Sequence, residues 1–255
     1  MSRFVVALIV IVMVPTLARA DRRSFGYTYE YATLPEGQTE VEIWHTQARD
    51  TWHSDTPERF EEKIEIEYGV TDRYDISMYT VFAEAAGGGA DENLHLDAVR
   101  MENRYRFADR GEWPVDTIAY VELAKDFGAS IYEIEAKAIV SRDFDKLLVA
   151  ANAIGEVAFG NNVPHRDLSL GWSVGASYEI NPKFRLGVET WGASEDNEDG
   201  NGRTLRAAVG PAISLAPTSK FWLAGTAGFG VASTFESDDF AGAAFSARVV
   251  MGLAM

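Results

Sequence analysis

The segment 244–255, Ala-Phe-Ser-Ala-Arg-Val-Val-Met-Gly-Leu-Ala-Met, constrains the fold most strongly. Phe245, Ala247, Val249, Met251, Leu253 and Met255 fall on one face of an extended chain, and Ser246, Arg248, Gly252 and Ala254 fall on the other. Side chains alternate along a strand, so one face is apolar throughout while the other is small or charged. The same alternation recurs in runs at about 39–50, 59–70, 74–85, 96–108, 114–126, 131–142, 146–159, 168–181, 184–194, 204–216, 221–233 and 240–255. Twelve strands are therefore expected. Many of them approach or exceed the roughly 9–11 tilted residues needed to cross a bilayer.

The links between these runs alternate in length. Those around Thr71-Asp72-Arg73, Asp109-Arg110-Gly111, Asp143-Phe144-Asp145, Asn181-Pro182-Lys183 and Pro217-Thr218-Ser219 read as tight turns, rich in residues that favour reversal. Longer polar stretches lie between them at 51–58, 86–95, 127–130, 160–167, 195–203 and 234–239. A soluble sandwich has no need to alternate short and long connections, whereas an up-and-down transmembrane barrel has short turns at one end and long loops at the other. Aromatic residues that open the strand after a turn, such as Tyr74, Phe184 and Phe221, suit an interfacial girdle. The expected fold is all-β: a transmembrane antiparallel up-and-down β-barrel of about 12 strands over residues 39–255.

The front of the chain indicates export. Arg3 precedes an apolar stretch, 4–17, and Ala18-Arg19-Ala20 offers small residues for cleavage, so residues 1–20 read as a signal peptide. Residues 21–38, with Tyr27, Tyr29 and Tyr31 in alternation, are expected to form a periplasmic or lumenal segment, or to add to the sheet. The sequence has no cysteine, which excludes disulfides and thiolate chemistry. A formal net charge of −16 argues against nucleic acid as a partner. A mean hydropathy of −0.12 is compatible with a barrel whose lipid face and polar interior average out.

Charge placement fixes which face of each strand points inward. An Arg or Lys facing the middle of the bilayer costs roughly 2–4 kcal/mol, so charged positions belong in the lumen. In 168–181, Leu168, Leu170, Trp172, Val174, Ala176, Tyr178 and Ile180 are expected to meet lipid, leaving Ser169, Gly171, Ser173, Gly175, Ser177 and Glu179 inside. The same rule places Lys63, Glu65 and Glu67 of one run and Arg100, Glu102, Arg104 and Arg106 of another in the lumen. Glu133, Glu135 and Lys137 join them, as do Arg185, Glu189, Arg206 and Arg248. Such a lumen is either a polar conduit whose charges select solutes or a salt-bridged plug. Twelve strands enclose less space than the wide porins, which favours a narrow or gated path.

No catalytic constellation stands out. His45, His53, His95 and His165 lack close metal-ligand spacing, so neither a metal site nor another cofactor is expected. The acidic run 195–202 departs from a calcium-binding loop at its first position, Glu195, and at its twelfth, Arg206. His165 and Ser169 are the nearest Ser–His pair, but in extended chain they lie too far apart to hydrogen-bond.

Together, the amphipathic strands, aromatic turns and terminal strand resemble a Gram-negative outer-membrane β-barrel. Residues 27–42, which contain Thr33-Leu34-Pro35-Glu36-Gly37-Gln38-Thr39-Glu40, are similar to the opening of barrels related to the meta-pathway phenol-degradation outer-membrane family. Met255 stands where the assembly signal of such barrels usually ends in Phe or Trp. The resemblance implies a non-enzymatic, porin-like transport protein in the outer membrane, surrounded by lipid and lipopolysaccharide and inserted by the barrel-assembly machinery. The expected function is a narrow or gated channel for small solutes through a charged lumen, with small aromatic or apolar cargo implied by the family. The alternatives are a plugged structural, ligand-binding or lipopolysaccharide-binding barrel and, further off, a membrane lipid-modifying enzyme.

Overall fold

A computed structural model describes residues 22–49, 57–87, 93–128, 130–160, 167–196, 203–233 and 244–255. The segment read as a signal peptide, most of the long loops, and His53 and His165 lie outside these residues. Twelve strands follow in order: β1 (Thr39–Arg49), β2 (Glu58–Thr71), β3 (Tyr74–Ala86), β4 (His95–Arg106), β5 (Asp116–Asp126), β6 (Tyr132–Phe144), β7 (Leu147–Phe159), β8 (Asp167–Asn181), β9 (Phe184–Asp196), β10 (Arg203–Leu215), β11 (Phe221–Ser233) and β12 (Phe245–Ala254). Each pairs antiparallel with its sequence neighbours, and β1 with β12 closes the barrel, from Glu40 opposite Ala254 to Arg49 opposite Phe245. Closure leaves no sheet edge exposed.

The two faces follow the alternation in the sequence. Ile64, Ile66, Met78, Val121, Leu123, Val174, Val188, Ile213 and Leu253 stand exposed on the outside. An apolar band on this scale far exceeds the patches that soluble monomers expose, and hydrocarbon is the solvent it suits. Aromatic pairs bound the band. Tyr105 and Phe107 lie 5.5 Å apart and Phe107 stacks on Trp113 near one end. Tyr132 stacks on Phe159 and Phe229 packs on Phe245 near the other.

At the turn end, β2–β3, β6–β7 and β8–β9 reverse across Asp72-Arg73, Asp145-Lys146 and Pro182-Lys183. Asp145 adopts a left-handed φ of 57°, a conformation that Asp tolerates better than most residues. The β4–β5 link departs from the tight turn expected at Asp109-Arg110-Gly111, because residues 107–115 form a longer, ordered loop. Its cause is local hydrogen bonding. Glu112 N–H donates to the Asp109 carbonyl, Asp109 N–H to the Glu112 carboxylate, and Gly111 N–H to the Asp116 carboxylate. Arg73 donates to Asp109 across the turn end, and that bond holds its guanidinium above the ordinary arginine pKa.

Putting a charge into the outer band tests its contact with lipid. Val121→Arg should lower unfolding stability in lipid vesicles by roughly 2–4 kcal/mol, whereas Val121→Leu should leave it nearly unchanged. Equal stability of the two variants in chemical unfolding would remove the lipid assignment of this face.

Candidate functional site

The lumen is occupied by the chain's own N-terminal segment. Every N–H and C=O in the middle of a closed barrel wall is used by a neighbouring strand, so a segment inside the barrel must satisfy its backbone through lumenal side chains. Residues 22–34 do this along their length. Arg22 at the turn end donates to the Pro182 carbonyl at 2.8 Å and to Ser214 Oγ and the Ser214 carbonyl at 2.9 Å. The chain then rises to mid-barrel, where Gly26, Tyr27 and Thr28 N–H all donate to the buried Glu189 carboxylate, at 2.8, 3.1 and 2.8 Å for the shortest contacts. The Thr28 and Thr226 hydroxyls also donate to Glu189.

One residue further on, Asn152 binds both backbone groups of Tyr29, accepting from N–H at 2.7 Å and donating to the carbonyl at 2.9 Å. Tyr31 N–H donates to Ser141 Oγ, and its hydroxyl reaches the Ala108 carbonyl. Leu34 N–H donates to Asp75 Oδ2 at 2.8 Å, and Thr33 Oγ1 donates to the Asp72 carbonyl in the β2–β3 turn. The segment thus enters and leaves at the same end of the barrel. It forms an arch with its crown at Tyr27–Tyr29.

Packing reinforces the polar contacts. Tyr27 stacks on Trp191 with ring centroids 3.9 Å apart, and its hydroxyl meets Ser246 Oγ. Tyr29 lies edge-on to Tyr120 at 5.4 Å, and the Arg23 guanidinium lies 4.1 Å from the Tyr29 ring and 4.5 Å from Trp44. Phe25 is fully buried against the wall at Gly175, where a Cβ would come within 2.6 Å of its ring. Gly228 makes the same kind of room for Trp191. These glycines therefore permit close approach inside the lumen, whereas periodicity alone makes them simply small inward positions.

Most of the charged residues read from the sequence form ion pairs beside the arch. Arg104 contacts Glu67, Asp75 at 2.9 Å and Glu102 at 3.2 Å, all with little exposure. Arg100 pairs with Glu122 at 2.6 Å and Glu133 at 3.2 Å, and Tyr79 and Tyr120 donate their hydroxyls to Glu122. Lys137 pairs with Glu135 at 2.7 Å and sits 3.9 Å from the Tyr120 ring centroid. Lys63 reaches Glu61 at 3.5 Å, and Glu65 is buried. Arg106 donates to the Asp72 carbonyl, and Arg185 pairs with Glu179 at 3.0 Å, both toward the turn end. Arg248 donates to Thr46 Oγ1 and lies 4.4 Å from the Tyr27 ring. Arg206 lines a cavity and has no ion-pair partner among the described residues.

Several residues central to this arrangement lie outside the charged set read from the sequence. Asn152, Ser141, Thr226 and Asp75 hold the arch, and Trp44, Trp222, Tyr79 and Tyr120 are buried inside. Their inward parity was available as a signal, because Asn152 continues Leu148 and Ala150 on β7. Among the histidines, His45 pairs with Glu62 on β1 and β2, and His95 lies 3.7 Å from Asp97. Among the described residues no group of three or more metal-ligating side chains comes together.

The arch divides the lumen. On the loop side is a cavity of about 360 Å³, floored by Tyr27 and Tyr29 and walled in part by Trp44 and Trp191. On the turn side, a space of about 840 Å³ is lined by Arg22, Glu30, Tyr31, Glu179 and Arg185.

This architecture defines an outer-membrane-type β-barrel. A family of unknown function, DUF6662, matches residues 17–114, which take in the arch and β1–β4. No curated protein matches the chain. Among solved structures, it is similar to an outer membrane channel from Pseudomonas putida F1, with 15% identity and a TM-score of 0.66 over 88% of this chain and 98% of that one. It is also similar to the NanC porin, with 12% identity and a TM-score of 0.57 over 84% and 98% of the two chains. The KdgM porin in complex with disordered oligogalacturonate gives 9% identity and a TM-score of 0.53 over the same shares. These likenesses establish a common barrel fold.

The Phe25 seat provides a direct test of docking. Gly175→Leu should displace Phe25 and make the bonds around Arg22 and Arg23 cleavable by trypsin while the barrel keeps its compact electrophoretic mobility. An unchanged cleavage pattern, read by mass spectrometry, would show that the arch does not depend on this seat.

Proposed function

We propose that this barrel is a narrow outer-membrane channel for small solutes, closed in this conformation by its own N-terminal arch. The observation that carries the reading is the way residues 22–34 are held: across the lumen, between two cavities, by side chains rather than by strand pairing. Such contacts can be exchanged for water without opening the wall. The channel and porin folds named above support the reading. Lipid and lipopolysaccharide surround the barrel, which is inserted by the barrel-assembly machinery. The lumenal charges Lys63, Arg100, Lys137 and Arg248 then act on solutes passing beside the crown.

A second reading, a permanently plugged structural barrel, is favoured by the buried Arg104 cluster. Removing one partner from such a cluster leaves a charge stranded, which opposes rearrangement.

Single-channel recording from the refolded protein in planar bilayers separates the two. Glu189→Ala removes the acceptor shared by three consecutive N–H groups and should increase open time several-fold, and deletion of residues 22–33 should produce a persistently conducting barrel. If the deletion variant inserts but remains silent, the arch is not what closes the path and the plugged reading stands.

A further inference from the structure

We propose that the loop-side cavity is a binding site for a small zwitterionic solute with a flat apolar body, such as an amino acid with an aromatic side chain. This deepens the channel reading above by naming the class of solute. The argument starts from charges that the protein does not itself neutralise. Arg206 on β10 lines the cavity, and its buried Nε has no hydrogen-bond partner. Arg248 on β12 lines the same space and uses its guanidinium on the Thr46 hydroxyl and the Tyr27 ring. Among the described residues, neither has a carboxylate within ion-pair distance. Other cations behave differently, since Arg100 and Lys137 are both matched by glutamates.

The complementary charge stands on β7. Glu156 lines the cavity directly across the strand pair from Glu135, whose carboxylate is already engaged by Lys137. Among the described residues Glu156 has no cation within ion-pair distance. Two acids directly opposite each other disfavour the sheet, so an arriving ammonium would relieve repulsion as well as gain attraction. A partly enclosed site needs its charges paired, and a solute that carries a carboxylate for the arginines and an ammonium for Glu156 supplies both.

The remaining surface specifies the body between those charges. Tyr27, stacked on Trp191, presents rings at the crown of the arch, and Trp44 adds another to the wall. A volume of about 360 Å³ equals that of roughly a dozen waters, enough for one amino-acid-sized molecule. The floor of the site is the arch itself. Occupancy is thereby coupled to the element that closes the lumen.

Isothermal titration of the refolded full barrel in detergent tests the proposal without requiring flux. The probes are L-phenylalanine, 3-phenylpropionate, which lacks the ammonium, and 2-phenylethylamine, which lacks the carboxylate. Phenylalanine should bind at least about tenfold more tightly than either, as expected when one charge-assisted contact is lost. Arg206→Gln should erase its advantage over phenylethylamine, and Glu156→Gln its advantage over phenylpropionate, with both variants retaining folded-barrel mobility. No heat from any probe, equal affinity for all three, or indifference to both substitutions would overturn the site. Conductance recorded in parallel separates the readings: a conducting barrel that binds nothing loses the site, and a silent barrel with charge-selective binding loses the channel.

Discussion

A closed barrel spends its wall backbone on itself, and much of this structure follows from that constraint. With β1 paired to β12, no strand edge remains for the N-terminal segment, yet its amides enter a confined lumen where an unmet donor is costly. Side chains therefore act as surrogate strands. Glu189 serves three consecutive N–H groups, and Asn152 reproduces both halves of a strand-like pairing with Tyr29. The difference from true strand addition is energetic as well as geometric. These contacts belong to individual side chains on different strands, so each can be altered without disturbing the registers that hold the wall.

The same constraint separates the roles of lumenal charge. Arg104, with three acidic neighbours, and Arg100, with two, form polar structure that occupies space and satisfies itself. Arg206, Arg248 and Glu156 share the loop-side cavity with Arg100 but have no ion-pair partner among the described residues. A lumen described only as charged would treat these groups alike. Their pairing is what separates the two sets, and the proposed binding site is built on the second.

Most of the wall was legible in the sequence because a period of two is enforced by two solvents at once. In β8, Val174 and Tyr178 face outward while Ser173 and Ser177 are buried, as hydrocarbon and lumen require. Strand ends were less legible where turn residues made local bonds: Asp109, Glu112 and Asp116 extend a link that composition makes look tight. The arch was the least legible element. Tyr27, Tyr29 and Tyr31 alternate like a strand, but their partners lie on distant strands and are named by no spacing within residues 21–38. Gly175 likewise reads as a small inward residue until Phe25 is set against it.

The arch begins and ends beside the turns, with Arg22 on Pro182 and Thr33 on Asp72. It therefore forms a bight rather than a threaded strand, and can be drawn out or pushed in as a loop without passing a free end through the wall. Its anchors on β3, β6, β7, β9, β10 and β11 converge on it from around the circumference. A flat sheet could not present these anchors to one short segment, so the lining of the lumen and the curvature of the wall depend on each other.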